Sequence, residues 1–342
     1  MAQKTLGYWD KKVVNLGLSV QNYCYKNLQK MMLSRIANSL FWMGRYLERI
    51  EHMARFSKVQ YYSSLDAPMS LNKKRVLESM LEMNGLPKNF CKHTDEEVLF
   101  HISIARTNSY SILSCLNAAR ENARGARDTI SSELWEAINT YYNKLNDYNT
   151  KPFDTDEFID IVELILANSA IIKGLIDNTL FHREERALIC EGIHIERAIQ
   201  ISRILIAKLD DIAHIEKSNL ESAIETFHWG TLLKSAESFD MCHRFYRKVP
   251  NKLNSLEFLL FNFEFPKSLA FNLAQAERHL LTIAKTKNDV NSSPLYFLGK
   301  LIAKIRYTKL EEVSDDMTTF ANNNLSDIYR IAAGLESKYL SY

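Results

Sequence analysis

Apolar residues recur at helical spacing along most of the chain, and this periodicity constrains the fold more than any other feature. From Leu33 to about Tyr62 the apolar positions fall three and four residues apart, the pattern of an amphipathic helix. Residues 153–249 contain no proline, and the 342 residues include only 10 Gly and 6 Pro, which sheets and tight turns use heavily. No alternating strand pattern is present. The sequence therefore predicts an all-α fold.

The periodic segments and the capping residues between them predict where the helices begin and end. Ser131 is expected to cap one helix, and Asp154, three residues before Glu157, has the spacing of a capping box. The predicted helices are 33–62, 71–83, 95–105, 109–130, 131–148, one from Asp154, one over 184–208, and 218–248, 252–261, 266–286, 293–308 and 316–340.

Composition excludes several functional classes. The formal net charge is +2, with 43 Lys and Arg against 41 Asp and Glu, so no global attraction to nucleic acid or to an anionic membrane is expected. The sequence contains no run of about 18 apolar residues, so no membrane span is expected. The N-terminus has no signal-peptide pattern. The five cysteines are far apart and are interpreted as buried thiols in a reducing compartment. We expect a cytoplasmic protein.

A segment near residue 44 is repeated, without a gap, 148 positions later. The two copies share Gly, Glu and two Arg, in Gly44, Glu48, Arg49 and Arg55 and in Gly192, Glu196, Arg197 and Arg203. A weaker correspondence links residues 111–119 to 268–276. A repeat this long is no solenoid; it predicts an ancient duplication into pseudo-symmetric halves, about 33–150 and 151–342. Residues 1–32 are predicted to be an extension outside this core.

The repeated charges border a face that should be buried. On a helix, Glu48 and Arg55 share a stripe with Arg45 and His52, beside apolar Leu47. Two interpretations remain open. The ions could form Glu–Arg bridges that fix the register of the two halves, or they could line a polar pocket at the pseudo-two-fold axis that binds a carboxylate or phosphate.

Arg120, Arg124 and Arg127 form a second candidate site, because they recur at i, i+4 and i+7 and repel one another. Either Glu48 and Glu196 or an anionic ligand held by the arginine forks must offset this repulsion. The candidate ligand- or partner-binding residues are Arg45, Glu48, Arg49, Arg55, Arg120, Glu121, Arg124, Arg127, Glu196, Arg197 and Arg203.

Other chemistry has weaker support. Glu191/His194 and Glu225/His228 have the Glu-x-x-His spacing of di-iron bundles, but the first half has no matching pair, so no metal and no cofactor are predicted. The sequence contains no phosphate-binding glycine loop and no nucleophile elbow. No catalytic residue is assigned.

Four blocks together resemble the Alpha-E family of bacterial all-helical proteins: "MLSRIANSLFWMGRYLERIEHMARF" at 32–56, "SILSCLNAARENARGARDTISSELWEAIN" at 111–139, "GIHIERAIQISRIL" at 192–205 and "FLLFNFEFPKSL" at 258–269. Two departures stand out. Ile193 and His194 occupy the places of an Arg and a Tyr in the family motif, and Lys267 replaces the Arg of a Pro-Arg-Ser element.

The resemblance implies which genes lie beside the one for this chain, more than it implies a reaction. Alpha-E proteins are typically encoded beside, or fused to, circularly permuted ATP-grasp-like proteins, often with transglutaminase-like peptidases. The implied role is a non-catalytic helical partner in ATP-dependent amide-bond formation, which binds an acidic peptide, a small anionic ligand or the ligase itself. One alternative is an enzyme that uses Glu48 or Glu196 as a general base. The other is a purely structural scaffold.

Overall fold

The computed structural model describes residues 3–66, 73–87, 94–148, 153–216, 222–284 and 293–341. All regular structure in these ranges is helical, so the predicted all-α class is confirmed. The α-helices are α1 Gln3–Asp66, α2 Lys73–Met83, α3 Asp95–Ser103, α4 Ile112–Gly125, α5 Ser132–Asp147, α6 Thr155–Thr179, α7 Glu184–Glu216, α8 Ser222–Ser235, α9 Phe239–Tyr246, α10 Lys252–Phe261, α11 Leu269–Ile283, α12 Pro294–Tyr307, α13 Leu310–Val313 and α14 Met317–Leu335. Short 3₁₀ turns lie at Arg127–Thr129 and Ser314–Asp316, and Glu336–Leu340 is π-helical.

Side-chain caps fix several of these helix starts. Ser131 Oγ accepts the Leu134 N–H at 3.2 Å, and Asp154 Oδ1 accepts the Glu157 N–H at 2.9 Å. Both predicted N-caps are confirmed. Each cap satisfies one of the backbone donors that a helix start leaves unpaired.

Several predicted boundaries were wrong, among them the end of the helix predicted over 184–208, which extends to Glu216. Helix α1 begins at Gln3, well before the predicted start at Leu33, and α4 ends at Gly125, five residues before the predicted end. The segment predicted as one helix over 218–248 forms α8 and α9, separated near Glu237. Glu237 has a φ of 54°, a left-handed conformation that glycine or asparagine normally signals. Neither glycine nor asparagine occurs at this point of the sequence.

Two long helices, α1 and α7, cross at the centre of the molecule and approach each other through glycines. A Cβ on Gly44 would lie 2.2 Å from the carbonyl oxygen of Ile189, and a Cβ on Gly192 would lie 2.1 Å from that of Phe41. Neither position can hold a side chain without moving a backbone. The two contacts are reciprocal, since each residue of one contact lies 148 positions from its counterpart in the other.

The other helices pack around this pair. Helices α4 and α6 lie against α1, and α11 and α14 lie against α7. Helices α4 and α11 begin in the same way: Ser111 Oγ accepts the Ser114 N–H at 3.2 Å, and Ser268 Oγ accepts the Phe271 N–H at 3.1 Å. These capping serines belong to the weaker sequence correspondence. The packing therefore follows the predicted repeat in its central and flanking helices.

The core lies between the central pair and these flanking helices. Leu40 and Ile50 of α1 and Ile195 and Ile204 of α7 are fully buried, and each such side chain stabilises the fold by about 1.5–3 kcal/mol. Glu48 and Glu196 are also fully buried, so the prediction that both turn inward is confirmed. An ancestral duplication stays a prediction, because reciprocal contacts can also form between unrelated helices.

The helix crossing predicts opposite effects for two glycine-to-alanine changes. Gly192→Ala places a Cβ against backbone and should lower the free energy of unfolding by about 3 kcal/mol or more. Gly174→Ala in α6, where a Cβ has no neighbour within 4 Å, should raise it by about 0.5–1 kcal/mol. Urea unfolding followed by circular dichroism measures both. Equal effects of the two substitutions would contradict the close approach of the α1 and α7 backbones.

Candidate functional site

Two buried ion pairs join α1 to α7 just after the crossing. Arg197 donates to Glu48 from Nε to Oε1 at 2.5 Å and from Nη2 to Oε2 at 2.9 Å. Arg49 donates to Glu196 from Nε at 2.7 Å and from Nη2 at 3.0 Å. Both are two-point contacts between a guanidinium and a carboxylate, which combine energy with a defined orientation. The predicted Glu–Arg bridges are therefore present, and they are reciprocal.

A residue one turn further along each helix supports each carboxylate. His52 Nε2 lies 3.0 Å from Glu48 Oε1, and Gln200 Nε2 donates to Glu196 Oε1 at 2.7 Å. These two positions are again 148 residues apart. The repeat thus extends to the hydrogen bonds that hold the glutamates in place.

The reciprocity ends at Arg45. Its Nε donates to Glu196 Oε2 at 2.9 Å, its Nη1 lies 3.3 Å from Glu336, and its guanidinium covers the Trp42 ring at 4.4 Å. The corresponding position in α7 is the apolar Ile193. We call Glu196 with Arg45, Arg49 and Gln200 the Glu196 cluster.

Lysines from other elements neutralise Glu48 instead. Lys173 Nζ of α6 lies 3.0 Å from Glu48 Oε2 and also contacts Glu51. Lys267 Nζ lies 4.0 Å from Glu48 and 3.2 Å from Glu51. We call Glu48, Glu51, Lys173, Arg197 and Lys267 the Glu48 cluster. It continues to Arg55, whose Nη2 lies 3.3 Å from Glu51 and 3.0 Å from Glu237.

The cations keep these glutamates ionised although they are buried. Burial alone would raise the pKa of Glu196, but Arg49 and Arg45 outweigh it and lower that pKa to about 2. Burial likewise opposes the ionisation of Glu48, whereas Arg197, Lys173 and Lys267 hold its pKa well below 4.5. Lys267 and Lys173 lower the pKa of Glu51 to about 2, against burial and the charge of Glu48. The clusters are permanently charged at neutral pH.

The three arginines predicted as one stripe lie elsewhere: Arg120 and Arg124 are on α4, whereas Arg127 follows its end in a 3₁₀ turn. Arg120 Nη1 and Arg124 Nη2 lie 3.1 and 2.5 Å from Glu121, and the Arg127 guanidinium covers the Trp135 ring at 5.4 Å. Glu121 and aromatic rings therefore offset the mutual repulsion of these arginines. The sequence had offered the buried glutamates of α1 and α7 for this role. Ligand binding by these four charged residues stays a prediction.

Arg203 is also separate from the clusters. Its Nη2 donates to the carbonyl oxygen of Glu82 at 3.2 Å, and it lines a depression of about 730 Å³ between α2, α7 and α14. Arg75 and Asp210 line the same depression and pair with each other at 3.0 Å. The structure therefore brings together only part of the predicted site.

A pocket of about 520 Å³ between α6, α7 and α11 opens beside the Glu48 cluster, and we call it the cationic pocket. Five cationic side chains and a single carboxylate line it, together with three histidines: Lys173, Arg183, Arg186, Arg197 and Arg278, then Asp177, then His182, His194 and His279. Of these residues only Arg197 was a predicted site residue. The others come from three helices and the α6–α7 connection, and of these only His194 was singled out from the sequence.

The cations of the cationic pocket differ in how they are paired. Lys173 and Arg197 are held by Glu48, and Arg186 pairs with Asp177. Arg183 and Arg278 form no ion pair with any described residue, and the Arg183 guanidinium lies 5.1 Å from the Phe181 ring. Two arginines are thus available to an anion.

Two stacked imidazoles form one wall of the pocket. The His194 and His279 rings lie 5.4 Å apart at 14°. The Asn272 amide donates to two carbonyl oxygens, so its Oδ1 accepts from His194 Nδ1 at 2.8 Å. Burial and then Arg197 lower the pKa of His194 to about 3, and burial, Arg186 and Arg278 lower the pKa of His279 to about 4. Both rings are neutral at pH 7, and positive charge surrounds them.

Comparison with known proteins identifies the family of the chain. The model of the Alpha-E family, described as a predicted alpha-helical domain with a conserved ER motif, matches residues 32–340. The chain belongs to the Alpha-E family. In this Alpha-E protein the Glu-Arg dipeptides 48–49 and 196–197 form the reciprocal pairs. The match begins where the predicted extension ends; that residues 1–32 stand outside the core stays a prediction.

Curated relatives of this Alpha-E protein are uncharacterised. One from Mycobacterium bovis and one from Mycobacterium tuberculosis strain CDC 1551 are each 21% identical over 310 residues, which covers 82% of this chain and 34% of the relative. The chain thus spans about a third of their length. No solved structure matches. In the described part of the chain no helix is long and apolar enough to cross a membrane.

The Glu191/His194 spacing does not produce a metal site in the described residues, where no group of three or more His, Cys, Asp and Glu is placed to hold a metal ion. His194 contacts Asn272 instead. Glu191 is almost fully buried, and neither carboxyl oxygen has a hydrogen-bond partner in the described structure. Burial raises its pKa well above 4.5, so its carboxyl group stays protonated over a range in which an exposed glutamate ionises.

The Glu196 cluster predicts that the same substitution has different costs at two sites. Glu196→Gln leaves Arg49 without its counter-charge and leaves Arg45 with Glu336 alone, and it should lower the free energy of unfolding by about 3–5 kcal/mol. Glu121→Gln also removes a carboxylate that contacts two arginines, but those groups are partly exposed and the cost should stay below about 1 kcal/mol. Chemical denaturation measures both. Similar costs would contradict a structural role for the buried cluster.

Glu191 predicts a pH-dependent effect. Its raised pKa means that the folded chain keeps a proton that the unfolded chain loses above about pH 4.5, so wild type should lose up to about 1.4 kcal/mol per pH unit as pH rises. Glu191→Gln removes this loss. The melting temperature of the variant should rise relative to that of wild type as the pH increases above about 5. A constant difference would refute the raised pKa.

Proposed function

We propose that this Alpha-E protein is a non-catalytic helical partner in an ATP-grasp-type amide-ligase system and that it holds an anionic peptide or small ligand in the cationic pocket. The observation that carries the proposal is the charge imbalance of that pocket, which five cations and one carboxylate line. Two of the cations, Arg183 and Arg278, have no counter-ion in the described structure. An anionic ligand would supply the missing charge.

The chemistry of the pocket fits a carboxylate or phosphate group with an apolar part. Guanidinium groups bind both anions through paired hydrogen bonds, and a volume of about 520 Å³ lies in the range of small-ligand sites. Ile176, Ile193 and Phe271 provide apolar surface beside the cations. An acidic side chain or chain terminus of a peptide has this combination.

The Glu48 cluster supports a positioning role in this proposal. Arg197 and Lys173 each reach both the pocket and Glu48. Their side chains are therefore fixed before a ligand enters, which reduces the entropy lost on binding. The buried pairs brace the fold, and two of their cations present positive charge to the pocket.

An enzyme that uses Glu48 or Glu196 as a general base has less support. A general base works best when its pKa lies near the working pH, whereas neighbouring cations hold the pKa of both carboxylates far lower. Both are also fully buried and engaged by arginines. A purely structural scaffold explains the paired clusters, but it gives no reason for the unpaired arginines of the pocket.

The link to a ligase rests on family resemblance and on one observation about the relatives. The curated relatives are about three times as long as the segment they share with this chain, so the Alpha-E domain occurs in chains that contain other sequence. A helical domain that positions a substrate beside a separate catalytic unit would fit this organisation.

Ligand binding is tested by isothermal titration calorimetry with two probes, a short oligoglutamate peptide and inorganic phosphate. Arg183→Gln and Arg278→Gln should each weaken binding of the better probe at least tenfold, because a charge-assisted hydrogen bond contributes about 1.5–3 kcal/mol. Arg330→Gln, at an exposed arginine of α14, is the matched control and should leave affinity unchanged. If all three variants bind as wild type does, the cationic pocket is not the site.

The partnership requires a second measurement. The chain is co-expressed with an ATP-grasp-like protein encoded beside it, and ATP-dependent amide formation is assayed with each protein alone and with both. Activity that needs both chains supports the proposal. Turnover by this chain alone would favour an enzyme, and ligase activity independent of this chain would refute the partnership without bearing on the pocket.

A further inference from the structure

Four large apolar side chains lie exposed along one short stretch, at Met241, Phe245, Val249 and Leu253. Their exposed fractions are 48%, 60%, 63% and 55%, respectively. They are spaced four residues apart and extend from α9 to the first turn of α10. Single exposed apolar residues are ordinary, but four of them within the short segment 241–253 mark a candidate binding surface. We call residues 241–253 the docking face.

The docking face is also strongly cationic. Residues 241–253 include Arg244, Arg247, Lys248 and Lys252 and no carboxylate. None of these four cations forms an ion pair with a described residue. An apolar surface flanked by unpaired cations is complementary to a surface that carries apolar groups and carboxylates.

The backbone supports this interpretation. Glu237 and Arg247, on either side of α9, are the two non-glycine residues with positive φ among those described, at 54° and 52°. This conformation is unfavourable for a side chain and is commonly retained at functional positions. The Glu237 carboxylate lies 3.0 Å from both Arg55 and Lys267. Ion pairs within the chain therefore account for a charged residue at this position. Arg247 ends α9, where its backbone N–H donates to the carbonyl oxygen of His243, and its guanidinium forms no ion pair with a described residue.

The shape beside α9 favours a protein segment as the occupant. A depression of about 660 Å³, lined by Lys234, Phe239, Met241 and Arg244 among others, adjoins the docking face. It can receive side chains of a partner, whereas a bilayer presents no protruding groups. A symmetric dimer through this face would set its own cations against each other.

We propose that the docking face binds a segment of a partner protein that carries apolar side chains beside carboxylates. Met241, Phe245, Val249 and Leu253 contact the apolar side chains of that segment, and Arg244, Arg247, Lys248 and Lys252 pair with its carboxylates. This inference goes beyond the ligand site of the cationic pocket, which lies on other helices.

The test measures binding of a synthetic helical peptide, with leucines on one face and glutamates on the other, by fluorescence anisotropy against the full chain. Arg247→Gly should keep or raise the melting temperature, because glycine relieves the left-handed backbone, and should weaken binding at least fivefold. Phe245→Ser should weaken binding at least tenfold. Ile171→Ser, at a side chain of α6 that is 55% exposed, is the control and should change neither quantity. A matched peptide with lysine in place of glutamate should not bind.

Several outcomes would overturn the proposal. These are peptide binding that Arg247→Gly and Phe245→Ser leave unchanged, absence of binding, a preference for phosphatidylserine-containing vesicles over the peptide, and a dimer in sedimentation that Phe245→Ser dissociates. Arg183→Gln and Arg278→Gln should not affect this peptide. The docking face and the cationic pocket can therefore fail independently.

Discussion

The close crossing of α1 and α7 determines most of what surrounds it. Two helices whose backbones touch at Gly44 and Gly192 bring the side chains one turn later within reach of the opposite helix. Glu48 then pairs with Arg197, and Glu196 pairs with Arg49. Both carboxylates are fully buried. The glycines thus set the distance between the helices, and the ion pairs set their rotation and register.

Buried ion pairs of this kind specify an arrangement better than they stabilise it. Removing charge from water costs about as much as the pair regains, whereas a single unpaired charge in the core is very unfavourable. A slip of one helix against the other would leave Glu48 and Glu196 unpaired, so wrong registers are disfavoured more strongly than the native one is favoured. The stabilising free energy comes instead from apolar side chains such as Ile50 and Ile195, which are fully buried.

The sequence could predict the helices, the capping residues and the burial of the two glutamates, because each depends on spacing within one segment. Ser131 and Asp154 cap as expected, and Glu48 and Glu196 turn inward. The cationic pocket could not be predicted, because Lys173, Arg186 and Arg278 come from different helices and no periodicity says which helix covers which. Glu121, by contrast, pairs with Arg120 and Arg124 of its own helix, a contact that depends on spacing within one segment.

The pocket lies where the two halves of the site stop matching. Around Glu196, Arg45 and Tyr46 fill the space beside the pair, and Arg45 is held by the Trp42 ring and by Glu336. The corresponding positions beside Glu48 are Ile193 and His194, which are shorter and uncharged, and both line the cationic pocket. The departure from the repeated motif thus removes one guanidinium and one phenol from the space beside Glu48. Lys173 of α6 and arginines of α7 and α11 border that space instead, so the asymmetry of the repeat coincides with the pocket in which we propose that a ligand binds.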